Sequence, residues 1–131
     1  METGKMMLTK RDLDLLTMHL RVSNLSDYNK NRLLAEIKSV IVVKENDLPP
    51  DIVCMDSEVE IRELESGKDF TFRIVAPTEA NMQKNRVSVF APIAIAILGY
   101  QRGSKVQWEM PSGLKTFEIL KVNVKEENSL I

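Results

Sequence analysis

Apolar positions recur along this chain in two rhythms, one helical and one alternating, and the change of rhythm divides it. In the first third, Leu13, Leu16 and Leu20, flanked by Leu15 and Met18, follow the spacing of one helix face. Leu8-Thr9-Lys10-Arg11-Asp12-Leu13 supplies the start. Thr9 can cap with Asp12 at the third helical position, and Leu8 can staple onto Leu13. Ser23-Asn24-Leu25-Ser26-Asp27 breaks the stripe, and either Ser26 or Asp27 can cap a second helix carrying Leu33, Leu34, Ile37, Val40 and Ile41. Two amphipathic helices with a short link predict an antiparallel, coiled-coil-like hairpin. With about 14 residues in each helix, the arm would be roughly 20 Å long. Met1 to Met7 reads as a loose lead-in.

Beyond Val42-Val43 the polar stretch Lys44 to Pro50 ends in Pro49-Pro50, which resists helix continuation and favours an extended path. A domain boundary is expected here, with residues 1–47 as a short helical hairpin and residues 48–131 as a second unit. The period then becomes two. Glu58 to Leu64 and Lys68 to Ala76 are joined by Glu65-Ser66-Gly67; Val59 and Ile61, then Phe70, Phe72 and Ile74, alternate with polar neighbours, as in a sheet with one wet face. Pro77 to Arg86 reads as a surface loop.

The stretch Arg86 to Val122 organises the rest. Val87, Val89 and Phe90 form a short apolar run, Ala91-Pro92 opens Ile93-Ala94-Ile95-Ala96-Ile97-Leu98, and Gly99 closes it. By pattern alone that run is either a strand or a helix that is apolar all round. Proline at a first helical position and glycine just past the end favour the helix, which neighbouring strands must then wrap. Val106, Trp108 and Met110 form the next inward set, and Pro111-Ser112-Gly113 makes a turn. Phe117 and Ile119 are in phase, while Val122 and Val124 are shifted by one; a bulge near Leu120 reconciles them. Lys125 to Ile131 reads as a frayed tail. The pattern predicts an α+β fold, a helical hairpin followed by an antiparallel sheet curled around one short helix.

Composition narrows the function. At 131 residues the chain can bury a real core as one domain, with or without an appendage. Lys+Arg 18 against Asp+Glu 19 lacks the basic excess that usually accompanies phosphate neutralisation, so nothing in the composition calls for nucleic acid as a direct partner. The single cysteine, Cys54, cannot form an internal disulfide, which fits a reducing compartment. No signal-peptide pattern opens the sequence, and the longest apolar run, Val89 to Leu98, falls short of the ~20 residues that span a membrane. A cytoplasmic location is expected, with no membrane partner.

Self-contained catalytic chemistry is missing. His19, the only histidine, sits beside the helical stripe as a flanking surface residue, and Cys54 lies far from it in sequence. A metal site needs three or four His, Cys or carboxylate ligands, and a nucleophilic cysteine needs a base. The five glycines form no phosphate-binding loop. No catalytic residue, metal or cofactor is predicted. The charges at Lys5, Lys10, Arg11, Asp12 and Asp14, and the run Lys121 to Glu127, read as solvated faces.

Several collinear pieces resemble a known family. They are Asp51-Ile52-Val53 with Met55-Asp56-Ser57, Val87-Ser88-Val89 with Ala91-Pro92-Ile93, Leu98-Gly99 with Gly103, and Trp108 with Pro111, Gly113 and Glu118-Ile119-Leu120. From about Leu48 to Val124 the chain resembles the C-terminal domain of the bacterial transcript-cleavage (Gre) factors, and more closely their short relatives called regulator of nucleoside diphosphate kinase. The resemblance implies an FKBP-like second unit and RNA polymerase as partner. In the cleavage factors the arm enters a polymerase channel, and its tip presents Asp-x-x-Glu-Asn to help hold a catalytic Mg²⁺, a hard cation suited to oxygen ligands. Here the tip reads Asp27-Tyr28-Asn29-Lys30-Asn31, with Lys30 in place of the glutamate, and the arm is shorter. Asp27 also reads as a simple helix cap.

The family's docking loop before the central helix carries a Ser-Pro pair that corresponds here to Ala91-Pro92, preceded by Phe90. Phe90 reads either as an exposed anchor or as core packing beside Val89. The resemblance thus implies docking near the secondary channel of RNA polymerase, and the chain is expected to be a non-enzymatic monomer. Phe90, Ala91 and Pro92 would make the main contact, with Asp27 and Tyr28 at the channel mouth. It would compete with longer-armed factors without stimulating cleavage, and would meet nucleic acid only indirectly, through the polymerase complex. Two alternatives stand beside it: a cleavage-stimulating cofactor using Asp27 and a second carboxylate such as Glu36, and an FKBP-type prolyl isomerase built on an aromatic-lined apolar pocket.

Overall fold

The computed structural model describes residues 6–123; the expected tail at 125–131 and Val124 lie outside them. The chain enters through strand β1 (Met7–Thr9) and passes directly into helix α1 (Lys10–Val22). Thr9 caps that helix, its side chain accepting from the Asp12 N–H. Ser26, rather than Asp27, caps helix α2 (Asp27–Lys38) by accepting from the Asn29 N–H, and Asp27 is the first helical residue.

Two expectations for this region are corrected. Helix α2 stops at Lys38, so Val40 and Ile41 are not on its apolar face; Ile41 opens strand β2 (Ile41–Val43), parallel to β1 with Met7 opposite Ile41. Val40 to Val43 are four successive β-branched residues, which lose side-chain freedom in a helix and fit a ladder. Met6 and Met7 are also not loose: Met6 is buried, and Met7 both pairs with β2 and donates its N–H to the Gly99 carbonyl at 2.8 Å.

The larger sheet comprises β3 (Glu58–Glu63), β4 (Lys68–Val75), β5 (Arg86–Ser88), β6 (Lys105–Met110) and β7 (Gly113–Asn123), in the order β5-β4-β3-β7-β6. It is antiparallel except at one edge, where β5 runs parallel to β4, so the sheet is mixed rather than wholly antiparallel. The physical reason lies in the connection. Two short 3-10 turns, Pro77–Glu79 and Met82–Lys84, carry the chain back before β5, where an antiparallel pair would need only a tight hairpin. The pairing of β3 with β7 shifts register between Glu60 and Ile61: Glu60 faces Lys121 and Ile61 faces Ile119. Leu120 is the extra residue of the expected bulge, and it lets Val122 oppose Val59.

Helix α3 (Pro92–Ile97) sits in the curl of the sheet, with Pro92 in its first turn and Ala94 to Ile97 buried. Gly99 follows at φ +91°, and a Cβ there would meet the side chains of Met6 at 2.6 Å and Leu8 at 2.9 Å. Glycine is thus required by both conformation and close approach.

One hydrophobic cluster joins the two parts of the chain, with Leu8, Leu16 and Leu33 packed in the same core as Ile61, Ile95, Trp108 and Ile119. The helices therefore lie against the sheet and do not project from it as a free arm. Two short helices alone are marginal in water, and burial of Leu16 and Leu33 against the sheet supplies what a free hairpin lacks. Asp12 corrects another expectation. It does not lie on a solvated face: its side chain is 0% exposed, and Oδ2 accepts from the Met55 N–H at 3.2 Å, tying α1 to the turn before β3. Its Oδ1 has no hydrogen-bond partner and lies 3.6 Å from Arg11 Nε; burial pushes the carboxyl pKa up from its ordinary value.

Candidate functional site

The loop between β5 and α3 is built by Ser88. Its hydroxyl accepts from the Phe90 N–H at 3.1 Å, and its carbonyl accepts from the Ala91 N–H at 2.9 Å. Val89 is buried, with its N–H on the Val75 carbonyl, so the turn leaves Phe90 and Ala91 half-buried and Pro92 exposed. Phe90 lies against the core edge, and its ring stacks on His19 with centroids 5.5 Å apart and planes 7° from parallel. His19 is therefore not a mere flanking surface residue. Its Nδ1 is 2.9 Å from the Ser23 hydroxyl, and burial lowers its pKa.

These residues line an open concavity of about 550 Å³. His19 and Ser23 come from the end of α1, Ser26 and Asn29 from the start of α2, and Phe90 and Pro92 from the loop; the β6–β7 turn closes it.

The first turn of α2 is fastened to β6, the outer strand of the sheet. The Asn29 side chain is buried: its Nδ2 donates to the Glu109 carbonyl at 2.9 Å and its Oδ1 accepts from the Glu109 N–H at 2.8 Å. A primary amide can do both, and here it completes one rung of an otherwise open edge. Tyr28 Oη donates to Gln107 Oε1 at 3.2 Å. One turn on, the Arg32 guanidinium lies 5.3 Å from the Tyr100 ring and 5.6 Å from the Trp108 ring, and donates to Tyr100 Oη at 3.1 Å. Burial pushes the Tyr100 phenol well above its ordinary range.

A second concavity of about 530 Å³ lies on the inner face of the sheet, lined by Phe70, Phe72, Phe117, Met82 and Met110. Phe70, whose phase predicted an inward position, is 44% exposed there because α3 covers only part of that face, and Met82 is 79% exposed. Among the described residues, no group of three or more His, Cys, Asp or Glu could hold a metal ion, and no helix is long and apolar enough to cross a membrane.

Residues 48–124 match the family described as transcription elongation factor, GreA/GreB, C-terminal part. The chain belongs to the GreA/GreB family. It is similar to transcription elongation factor GreA of Aliarcobacter butzleri, 32% identical over 102 residues that cover 78% of this chain and 63% of that protein. It is also similar to regulator of nucleoside diphosphate kinase of Escherichia coli, 31% identical over 96 residues, covering 72% of this chain and 71% of that one. The structure of a GreA/GreB transcription elongation factor from Nitrosomonas europaea superposes with a TM-score of 0.66 at 27% identity, covering 92% of this chain and 98% of that one. The chain thus spans less than two thirds of the GreA relative.

For this GreA/GreB chain, the residues singled out in the sequence fall in one region but not in one lining. Phe90 and Pro92 share the groove with Ser26 and Asn29; Ala91 is the cap of α3 between them; Asp27 and Tyr28 belong to the same turn of α2 but lie outside the lining. Asp27 and Lys30 are exposed, whereas Glu36 faces the Tyr100 phenol. Sequence reasoning named Asn29 and Asp12 but missed their buried anchoring roles, although a signal existed. Each stands four residues before a buried leucine, Leu33 and Leu16, and so lies on the inward helix face.

Proposed function

We propose that this GreA/GreB-family chain is a non-enzymatic factor that docks on RNA polymerase near its secondary channel without stimulating transcript cleavage. Phe90, Ala91 and Pro92 make the main contact, and the groove they border receives the partner. Asp27 and Tyr28 face the channel mouth from the helical part, residues 1–47, carried by the sheet part, residues 48–131. The protein acts as a cytoplasmic monomer, reaches nucleic acid only through the polymerase complex, and competes with longer-armed members of the family.

The observation that carries this reading is the fastening of α2 to β6. Asn29 on Glu109 and Tyr28 on Gln107 hold the first turn of α2 against the sheet. A carboxylate that assists a metal in a distant active site must stand at the end of a reaching arm, and Asp27 is held back beside the sheet. The neighbouring cation Lys30 opposes Mg²⁺ binding further, since that ion seeks anionic oxygen.

Co-purification with core RNA polymerase tests the docking. The wild type is expected to bind and a Phe90→Ala, Pro92→Ala double variant to lose binding; if neither binds at micromolar concentration, the reading is wrong. One observation favours a second reading, prolyl isomerase: the apolar trough around Phe70, Phe72 and Phe117. Fold alone does not imply that activity. A proline-peptide isomerisation assay on the full chain separates the two readings.

A further inference from the structure

We infer that His19 is a positioning residue of the docking surface: its uncharged imidazole holds the Phe90 ring in the pose a partner meets, so docking weakens in acid. This rests on the docking reading above and adds to it a residue and a condition.

The geometry begins at the end of α1. Ser23 holds His19 twice, its N–H donating to the His19 carbonyl at 2.9 Å and its hydroxyl lying 2.9 Å from Nδ1. The imidazole is therefore fixed in orientation before it meets Phe90. The near-parallel planes and 5.5 Å centroid separation describe an offset stack, a favoured arrangement for aromatic pairs. On the other side, Ser88 fixes the Phe90 main chain. The Phe90 ring is thus set by its backbone and by one covered face, and the remainder borders the groove. Without the imidazole, contacts on that face vanish and the ring is free to turn into the gap.

The pH dependence follows from the shared groove. His19 and Phe90 both line it, so a partner seated there excludes water from both. Excluding water penalises the imidazolium more than the neutral ring. The ionisable side chain that shares the groove is Glu109 on β6; Arg21 on α1 and Asp27 on α2 are exposed and outside its lining, and the loop and α3 bring no charge. Glu109 and the Phe90 ring face would each attract a cation, yet burial prevails, because His19 titrates below its ordinary value. Docking that buries it further is expected to lower that value again, so affinity is expected to fall as pH drops through the range where the free imidazole takes up its proton.

The test measures the affinity of the labelled full-length protein for core RNA polymerase at constant ionic strength, from about pH 8 to pH 5.5. Four proteins are compared: wild type, His19→Ala, His19→Phe and Phe90→Ala. Loss of an aromatic stack predicts a Kd about three- to tenfold weaker for His19→Ala near pH 7.5. His19→Phe keeps a ring under Phe90 and is expected to bind as the wild type does at that pH, with the fall in acid gone. Wild-type binding by His19→Ala, while Phe90→Ala binds poorly, would overturn the role of His19 and leave the docking reading intact. A wild-type fall in acid retained by His19→Phe would assign the titration elsewhere and overturn it equally. Should Phe90→Ala itself bind as the wild type does, the docking reading fails and takes this inference with it. If His19→Ala does not fold, the pH profile of His19→Phe decides.

Discussion

The side-chain amide of Asn29 forms a two-bond pair with the main chain of Glu109, at 2.9 and 2.8 Å, across 80 positions of sequence. It acts as a single residue of an absent strand. Replacing it by alanine removes both partners from the Glu109 N–H and C=O and empties the buried seat of the amide, and Asn29→Ala is expected to cost about 1 to 3 kcal/mol. Urea unfolding measures this, and a loss below about 0.5 kcal/mol, the range of an ordinary surface change, would show that water replaces the amide freely.

Asp12 makes a pH prediction with a defined sign. Its pKa is raised in the folded state, so the native protein holds that proton more tightly than the unfolded chain does. Its contribution to stability is therefore greatest in acid and is lost as pH rises from the ordinary value of 3.8 through the raised one. Asp12→Asn keeps an acceptor for the Met55 N–H and removes the charge. It is expected to match or exceed the wild type in stability at neutral pH and to flatten this part of the profile. Asp12→Ala removes the acceptor as well and should cost about 1 to 3 kcal/mol. Unfolding measured across the pH range compares the three, and a profile in Asp12→Asn identical to the wild type would rule the buried carboxyl out as its source.

Gly99 should tolerate no side chain. Gly99→Ala combines a positive φ with contacts of 2.6 and 2.9 Å to Met6 and Leu8, and a loss of about 2 to 4 kcal/mol is expected. Adding Leu8→Ala should recover part of the steric share, so the double variant is expected to be less destabilised than the two single losses added together. Strict additivity in thermal unfolding would mean that the two positions do not meet.

Lys30→Glu gives the turn of α2 the acidic residue that the resemblance to the cleavage factors implies for that position. Because Asn29 and Tyr28 hold that turn of α2 on β6, the variant is expected to leave transcript cleavage in stalled polymerase complexes at its background rate. A gain of about tenfold or more, worth at least 1.4 kcal/mol in the barrier, would show that only the tip chemistry was missing.

Much of this protein was legible from near neighbours in the chain. Helix α3 could be read between Pro92 and Gly99, the cap of α1 from Thr9, though not the return bond from Asp12, and the bulge from the phase break between Ile119 and Val122, because each is set by residues within one or two turns of each other. Membership in the GreA/GreB family was legible for the same reason, since the matching pieces are short and collinear. Tertiary structure alone decided the rest. Pairing of β1 with β2, burial of Asp12 under the Met55 N–H, the seat of Asn29 on Glu109 and the His19–Phe90 stack all join residues far apart in sequence. A helical period shows which face turns inward but not what it meets. Whether α1 and α2 project or fold back depends on the free energy of burying Leu16 and Leu33 against a sheet that no local pattern in the helices describes.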